Sequence, residues 1–382
     1  MRLGQRGATV SFMVARAGIG ATAGAFGLSL MLGCGGASTS ERGEVDVGRG
    51  HAASTEETSA SFSATTGEAV QAGEPQGGTA QAGAAGSTQS SGDARGAAAG
   101  GGVQRPKGKL TRAEAEQYVL ALVNRDRAAA GLKPVVWDAT AAKAGLRHAG
   151  DMAKHGFTAH HGTDASVPEE RYTEAGGSGL SMENAGCFGD AEARELDPDP
   201  RFTPESVERV QAAFMAEVPP ADGHKRNILM PRHTGFGVGL AKAKGLDEVT
   251  CMAQEFVDDY GRYDPLPTRA KVGDVIRVAG EVRAPASIAG VGLSRVDRQK
   301  PRTPKELLTT GGYPIPAPFV TYFPKGFKTP KPLTVNGNRF EIDVPLDDKG
   351  RAGRYGVTVW ATFPGSKDLQ VISLRTITVE KK

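Results

Sequence analysis

The chain has 382 residues, of which 23% are charged and 6% aromatic, with a formal net charge of +3 at pH 7. That length accommodates two domains, while near-neutral charge and few aromatic rings argue against nucleic acid as a partner, since single-strand binders need stacking surface. Charge is uneven along the chain: residues 35–106 carry 4 basic and 8 acidic side chains, residues 107–263 carry 19 and 24, and residues 264–382 carry 20 and 11. Positive charge therefore collects in the last third.

Arg2, Arg6 and Arg16 precede an uncharged stretch from Ala17 to Leu32 that ends in Gly33-Cys34, the layout of a secretory signal. The ending Leu30-Met31-Leu32-Gly33-Cys34 resembles a bacterial lipobox with Met where Leu is usual. This predicts a lipoprotein signal peptide over residues 1–34, with Cys34 as the lipidated N-terminus that holds the protein to a membrane. A spanning anchor is the competing reading, but the stretch is short and glycine-interrupted for a hydrocarbon core ~30 Å thick. Gly35 after the cysteine is not the Asp of inner-membrane retention, which favours the outer membrane if the cell is Gram-negative.

Residues 35–106 are dominated by Gly, Ala, Ser, Thr, Gln and Glu, with Phe62 and four valines as the larger apolar side chains. Such a segment cannot bury enough surface to offset chain entropy, so it reads as a disordered linker with a reach of roughly 45 Å.

The pattern becomes globular at Thr111-Arg112-Ala113-Glu114, a capping box that opens a helix to about Ala130 and a stop at Gly131. Asp138 caps a second helix whose apolar positions Ala142, Leu146, Ala149, Met152 and Ala153 follow helical spacing, with Gly156 ending it. His148 and His155 on that helix read as packed or partly exposed rather than as ligands. Thr203-Pro204-Glu205 starts a third helix with Val207, Val210 and Phe214 as its stripe. Strands from Gly235 to Ala241 and Val249 to Val257 then form a hairpin.

After Pro265 and Pro267 the periodicity shortens to alternating runs: Val272 to Val282, Ile288 to Val296, Phe319 to Phe323, Leu333 to Val335, Phe340 to Val344, Tyr355 to Phe363 and Val371 to Val379. Asn336-Gly337 is a hairpin signal. These predict an all-β, immunoglobulin-like sandwich over 264–382 without an inter-sheet disulfide. Its Arg295, Arg298, Lys300, Arg302 and Lys305 cluster, with Lys325, Lys328 and Lys331, offers an anionic envelope polymer a surface, or is a solvated basic face.

With Cys34 assigned to lipid, Cys187 and Cys251 remain, and an even pair in an oxidising compartment points to a disulfide worth roughly 4 kcal/mol in the chain-entropy picture. Two buried free thiols are the alternative. Six of the seven histidines fall between His148 and His233.

In and around that span lie Asn124-Arg125-Asp126-Arg127, Trp137-Asp138, Phe157-Thr158-Ala159-His160, Glu183-Asn184-Ala185-Gly186, Gly223-His224-Lys225-Arg226-Asn227-Ile228 and Gly235-Phe236-Gly237-Val238-Gly239-Leu240. In that order they resemble the bacterial members of the CAP superfamily of cysteine-rich secretory, antigen 5 and pathogenesis-related proteins, over roughly residues 110 to 258. The spacing of Asp164, Arg171 and Ala175-Gly176 sets the register and selects His160 over His161. Phe214 where relatives carry Trp, the longer Glu217 to Asp222 approach, and an inserted stretch from Asp190 to Arg201 depart from the pattern.

The resemblance implies an α/β/α sandwich over 107–263, making the chain α+β with the β-sandwich following. It also implies an open cleft ringed by His160, Glu183 and His224, with Asp164 as the weakest candidate for a fourth acid. Arg171 and Asn227 read as residues that hold loops. The expected function is an envelope-tethered binding module for a lipid or peptide ligand. The alternative is a metal-assisted hydrolase of peptide or cell-wall bonds, with zinc on His160, His224 and Glu183 and with Glu183 as the general base. No Gly-x-Ser-x-Gly elbow supports a serine nucleophile.

Overall fold

The protein is described here by a computed structural model covering residues 103–188, 192–312 and 314–382. The predicted signal, Cys34 and nearly all of the predicted linker lie outside the described residues. Among those that are described, no helix is long and apolar enough to cross a membrane.

The first part is a sheet between helices. α1 (Arg112–Ala129) begins with the Thr111/Glu114 capping box and buries Ala115, Tyr118, Val119, Leu122 and Val123. β1 (Val136–Trp137) leads to α2 (Ala139–His155), where the Asp138 carboxylate accepts from Thr140 N and Ala141 N, and Gly156 stops the helix in the left-handed region at φ 72°. α3 (Pro168–Glu174) and β2 (Leu180–Cys187) follow, then α4 (Pro204–Met215), capped by Thr203, and α5 (Gly223–Ile228). β3 (Gly235–Ala241) and β4 (Cys251–Asp258) form the expected hairpin.

The strand order is β1-β3-β4-β2, with β1 parallel to β3 and the other pairs antiparallel. Side chains alternate between the two faces. Phe236, Val238 and Leu240 of β3 join Met252 and Phe256 of β4 under α1 and α4. The intervening glycines face α2, and a Cβ on Gly239 would lie 2.0 Å from the backbone nitrogen of Leu146. The Gly-x-Gly-x-Gly alternation of β3 is thus what lets α2 lie directly on the sheet.

The second part is built from β5 (Gly261–Tyr263), β6 (Arg269–Lys271), β7 (Val275–Val282), β8 (Ser287–Val296), the single helical turn α6 (Pro304–Leu307), β9 (Val320–Tyr322), β10 (Thr334–Asn336), β11 (Arg339–Pro345), β12 (Gly353–Thr362) and β13 (Gln370–Glu380). They form one sheet in the order β10-β11-β7-β5 and a second in the order β6-β13-β12-β8-β9. β11 exposes Arg339, Glu341 and Asp343 and buries Phe340, Ile342 and Val344 in the core shared with Leu293, Tyr355, Val357, Val359 and Ile377. Gly337, at φ 61°, makes the tight turn between β10 and β11.

β13 lies against the first part. Leu374 N donates to Gly179 O, Thr376 N to Thr173 Oγ1, and Arg354 pairs with Glu170 at 2.8 Å. Leu180 and Met182 of β2 share an apolar cluster with Val371 and Leu374 of β13.

Candidate functional site

β2 is the outer strand of its sheet, and its alternation sends neighbouring motif residues to opposite sides. Glu183 goes to the α2 side, where its side chain is fully buried. Its Oε1 accepts from His160 Nδ1 at 2.9 Å and its Oε2 from Arg171 Nη2 at 2.7 Å. The same guanidinium donates to His160 O at 3.0 Å and to Ser166 O at 3.1 Å, fastening the loop between α2 and α3 around the carboxylate. His148 Nε2 donates to Ala159 O at 2.6 Å and lies 3.6 Å from Glu183 Oε1.

Electrostatics follow from this burial. Desolvation would raise the Glu183 carboxyl, but His148, Arg171 and His160 together hold it well below the usual carboxylate range. His148 is itself pushed down to about 4 by burial and by Arg171, so it is neutral at pH 7. The permanent charge that sustains Glu183 is therefore that of Arg171. Directly opposite Glu183 on β4 is Glu255, also fully buried, which accepts from Ser181 Oγ at 2.6 Å. Burial, and then the charge on Glu183, push Glu255 well above the ordinary range, so it retains its proton.

On the other face, His224 opens α5. Its Nδ1 pairs with Glu217 Oε1, and its backbone N–H donates to Glu217 Oε2 at 2.9 Å. The imidazole lies 4.6 Å from the Phe214 ring, centroid to centroid. Both members are partly exposed, at 13% for His224 and 16% for Glu217. Asn184 donates to His224 O, Asn227 Nδ2 donates to Asn184 Oδ1 at 2.9 Å, and His233 bridges Asn227 Oδ1 and Asp258. Buried Arg127 closes the array by donating to the carbonyls of Ile228 and Met230.

The structure brings His160 and Glu183 together, places His224 on Glu217, and places Asp164 elsewhere. Asp164 is half-exposed and bound to Arg147 at 2.7 Å, lining a polar hollow of about 220 Å³ together with Glu170, Glu174, Arg298 and Arg354. Burial works to raise its carboxyl, but Ser166 and Arg147 bring it down to about 2. Arg171 and Asn227 hold loops, as their positions suggested. Glu217 escaped the sequence reading, which treated its segment only as a longer approach to His224. Cys187 and Cys251 are joined, as register partners on β2 and β4. His160 is 5% exposed and Glu183 2%, so the open cleft that the resemblance implies is closed over this pair.

Glu183 does not suit the zinc-ligand role expected of it, since its oxygens accept from His160 and Arg171. His160 and His224 each place Nδ1 on an acid, a contact that a metal-binding imidazole also makes through its second nitrogen. No group of three or more His, Cys, Asp or Glu side chains among the described residues converges for a metal. The basic cluster is likewise partly consumed, since Arg295 is buried on Asp348 and Asp297.

Residues 120–253, which contain His160, Arg171, Glu183, Glu217 and His224, match the family model of CAP, the cysteine-rich secretory protein family. This segment is a CAP domain. Among solved structures, the chain is similar to an extracellular protein containing an SCP domain from Bacillus anthracis str. Ames, at 18% identity over 39% of this chain and 41% of that one, with a TM-score of 0.30. It therefore spans about two fifths of that protein's length. It is also similar to an outer surface protein from Borrelia burgdorferi, at 16% identity over 40% of this chain and 97% of that one, with a TM-score of 0.31. No curated protein matches.

Proposed function

We propose that this is an exported CAP-domain protein that binds a lipid or peptide ligand of the cell envelope beside β2, tethered through a lipid on Cys34. One observation carries the reading: both Glu183 oxygens are held, by His160 and by Arg171, and His224 is turned to Glu217. Such an arrangement fixes the shape of the site. The partly exposed His224 lies against the apolar Phe214 ring, tilted at 36° to it, and Val218, next in sequence to Glu217, is 69% exposed. The Cys187–Cys251 disulfide suits an oxidising compartment. The exposed Lys325, Lys328 and Lys331 give an anionic envelope polymer a secondary contact.

The test is thermal unfolding of the full chain with and without palmitate and phosphatidylglycerol vesicles, and with peptides of envelope composition. A ligand that binds only the folded state raises the melting temperature with concentration. A shift lost in Val218→Asp supports the reading, and no shift with any of the probes refutes it.

A further inference from the structure

β2 ends its sheet among the described residues. Part of the long connection between β8 and β9 packs on the CAP domain near that strand. Arg302 N donates to Thr163 O at 3.1 Å, two residues beyond His161. Leu307 is fully buried in a cluster with Phe157, Ala159, Ala185 and Cys251, and Leu308 packs against the same cluster. Farther along, Ile315 packs against the cluster that Leu180 and Met182 share with Val371 and Leu374.

This connection is shaped as a ligand more than as a loop. Thr303 and Glu306 form a capping box, Pro304 fixes the first position of α6, and the turn presents Leu307 as its buried residue. Arg302 braces the turn from within, donating to Thr310 Oγ1 and Gln299 Oε1. The β-sandwich core is complete without Leu307, which is absent from the cluster formed by its two sheets. The leucine serves the CAP domain instead.

We infer that residues 302–308 fill a peptide-binding groove of the CAP domain in cis, so that the groove accepts a leucine-bearing, helix-turn peptide segment once this stretch is displaced. This rests on the binding-module reading and specifies its ligand as peptide. The tethered segment competes at high effective concentration, so a free peptide meets an occupied site in the intact chain.

The experiment uses the full chain and a variant in which residues 299–316 are replaced by a Gly/Ser stretch of equal length. The probe is a fluorescent synthetic peptide of residues 299–316, followed by anisotropy. The expected result is at least tenfold tighter binding to the variant than to the intact chain, abolished when the peptide carries Leu307→Asp. Equal binding to both proteins, or none to a variant with an unchanged circular dichroism spectrum, overturns the inference. If that folded variant still shows a melting shift with lipid, the binding-module reading survives alone. Should the replacement not fold, hydrogen exchange on the intact chain decides: excess peptide must speed exchange at amides 307–310, and unchanged rates overturn the proposal.

Discussion

His160–Glu183 and His224–Glu217 are the same two residue types, held on opposite faces of β2, yet their surroundings assign them different work. The first pair is buried, joined by Arg171 and backed by the protonated Glu255, so every polar atom at Glu183 is engaged away from water. The second is partly exposed, set against the tilted ring of Phe214 and attached to a six-residue helix. Dielectric environment separates them: a buried pair is stabilised or lost as a unit, whereas a rim pair is screened and adjustable. The comparison teaches that a motif histidine beside a carboxylate does not define a catalytic centre. Its role follows from what else the carboxylate holds.

The comparison breaks most readily at Arg171. Arg171→Met leaves Glu183 buried with its permanent countercharge gone, and the expected loss is about 3–5 kcal/mol in urea unfolding. Glu183→Gln added to Arg171→Met should recover part of it. A loss below about 1 kcal/mol would show that water reaches Glu183 and that the sealed pair is not sealed.

Acid comes next. His148 has its folded pKa near 4, below the unfolded value, so the unfolded chain takes up the proton first. Its contribution is complete above pH 6.5 and is lost as pH falls toward 4. The loss amounts to roughly 2 kcal/mol between pH 7 and 4.5. Glu255 acts in the opposite direction, since a raised carboxyl favours the folded state at low pH and loses that advantage as pH rises. The difference between the wild type and His148→Gln isolates the histidine: the variant should show a flatter stability profile over this window. Parallel profiles would mean that His148 takes up its proton alike in the folded and unfolded chain.

Much of this arrangement was legible in the sequence because its causes are local. Thr111 and Asp138 announce their helices by capping, the β3 glycines announce close helix packing, and the alternating runs after Pro267 announce strands. The disulfide followed from arithmetic on three cysteines. What stayed hidden depends on contacts between distant parts of the chain. No local pattern says that Glu217 turns back to His224, that Asp164 chooses Arg147 seventeen positions earlier, or that Leu307 leaves the sandwich for the CAP domain. The α6 capping box could have been found, since Thr303-Pro304-Lys305-Glu306 carries the same signature as Thr111 to Glu114.

The smallest effect is expected at the rim, where it sharpens the comparison. Glu217→Gln keeps a side-chain oxygen able to accept from His224 N but removes the charge facing the imidazole. A partly exposed ion pair contributes little, so the expected loss is about 1 kcal/mol or less. The lipid-dependent melting shift should change instead, because this substitution alters the charge beside His224 and Val218 rather than the core. A loss above about 3 kcal/mol would place Glu217 in the same structural class as Glu183. The two faces of β2 would then be two halves of one scaffold, and a ligand would have to be recognised elsewhere on the CAP domain.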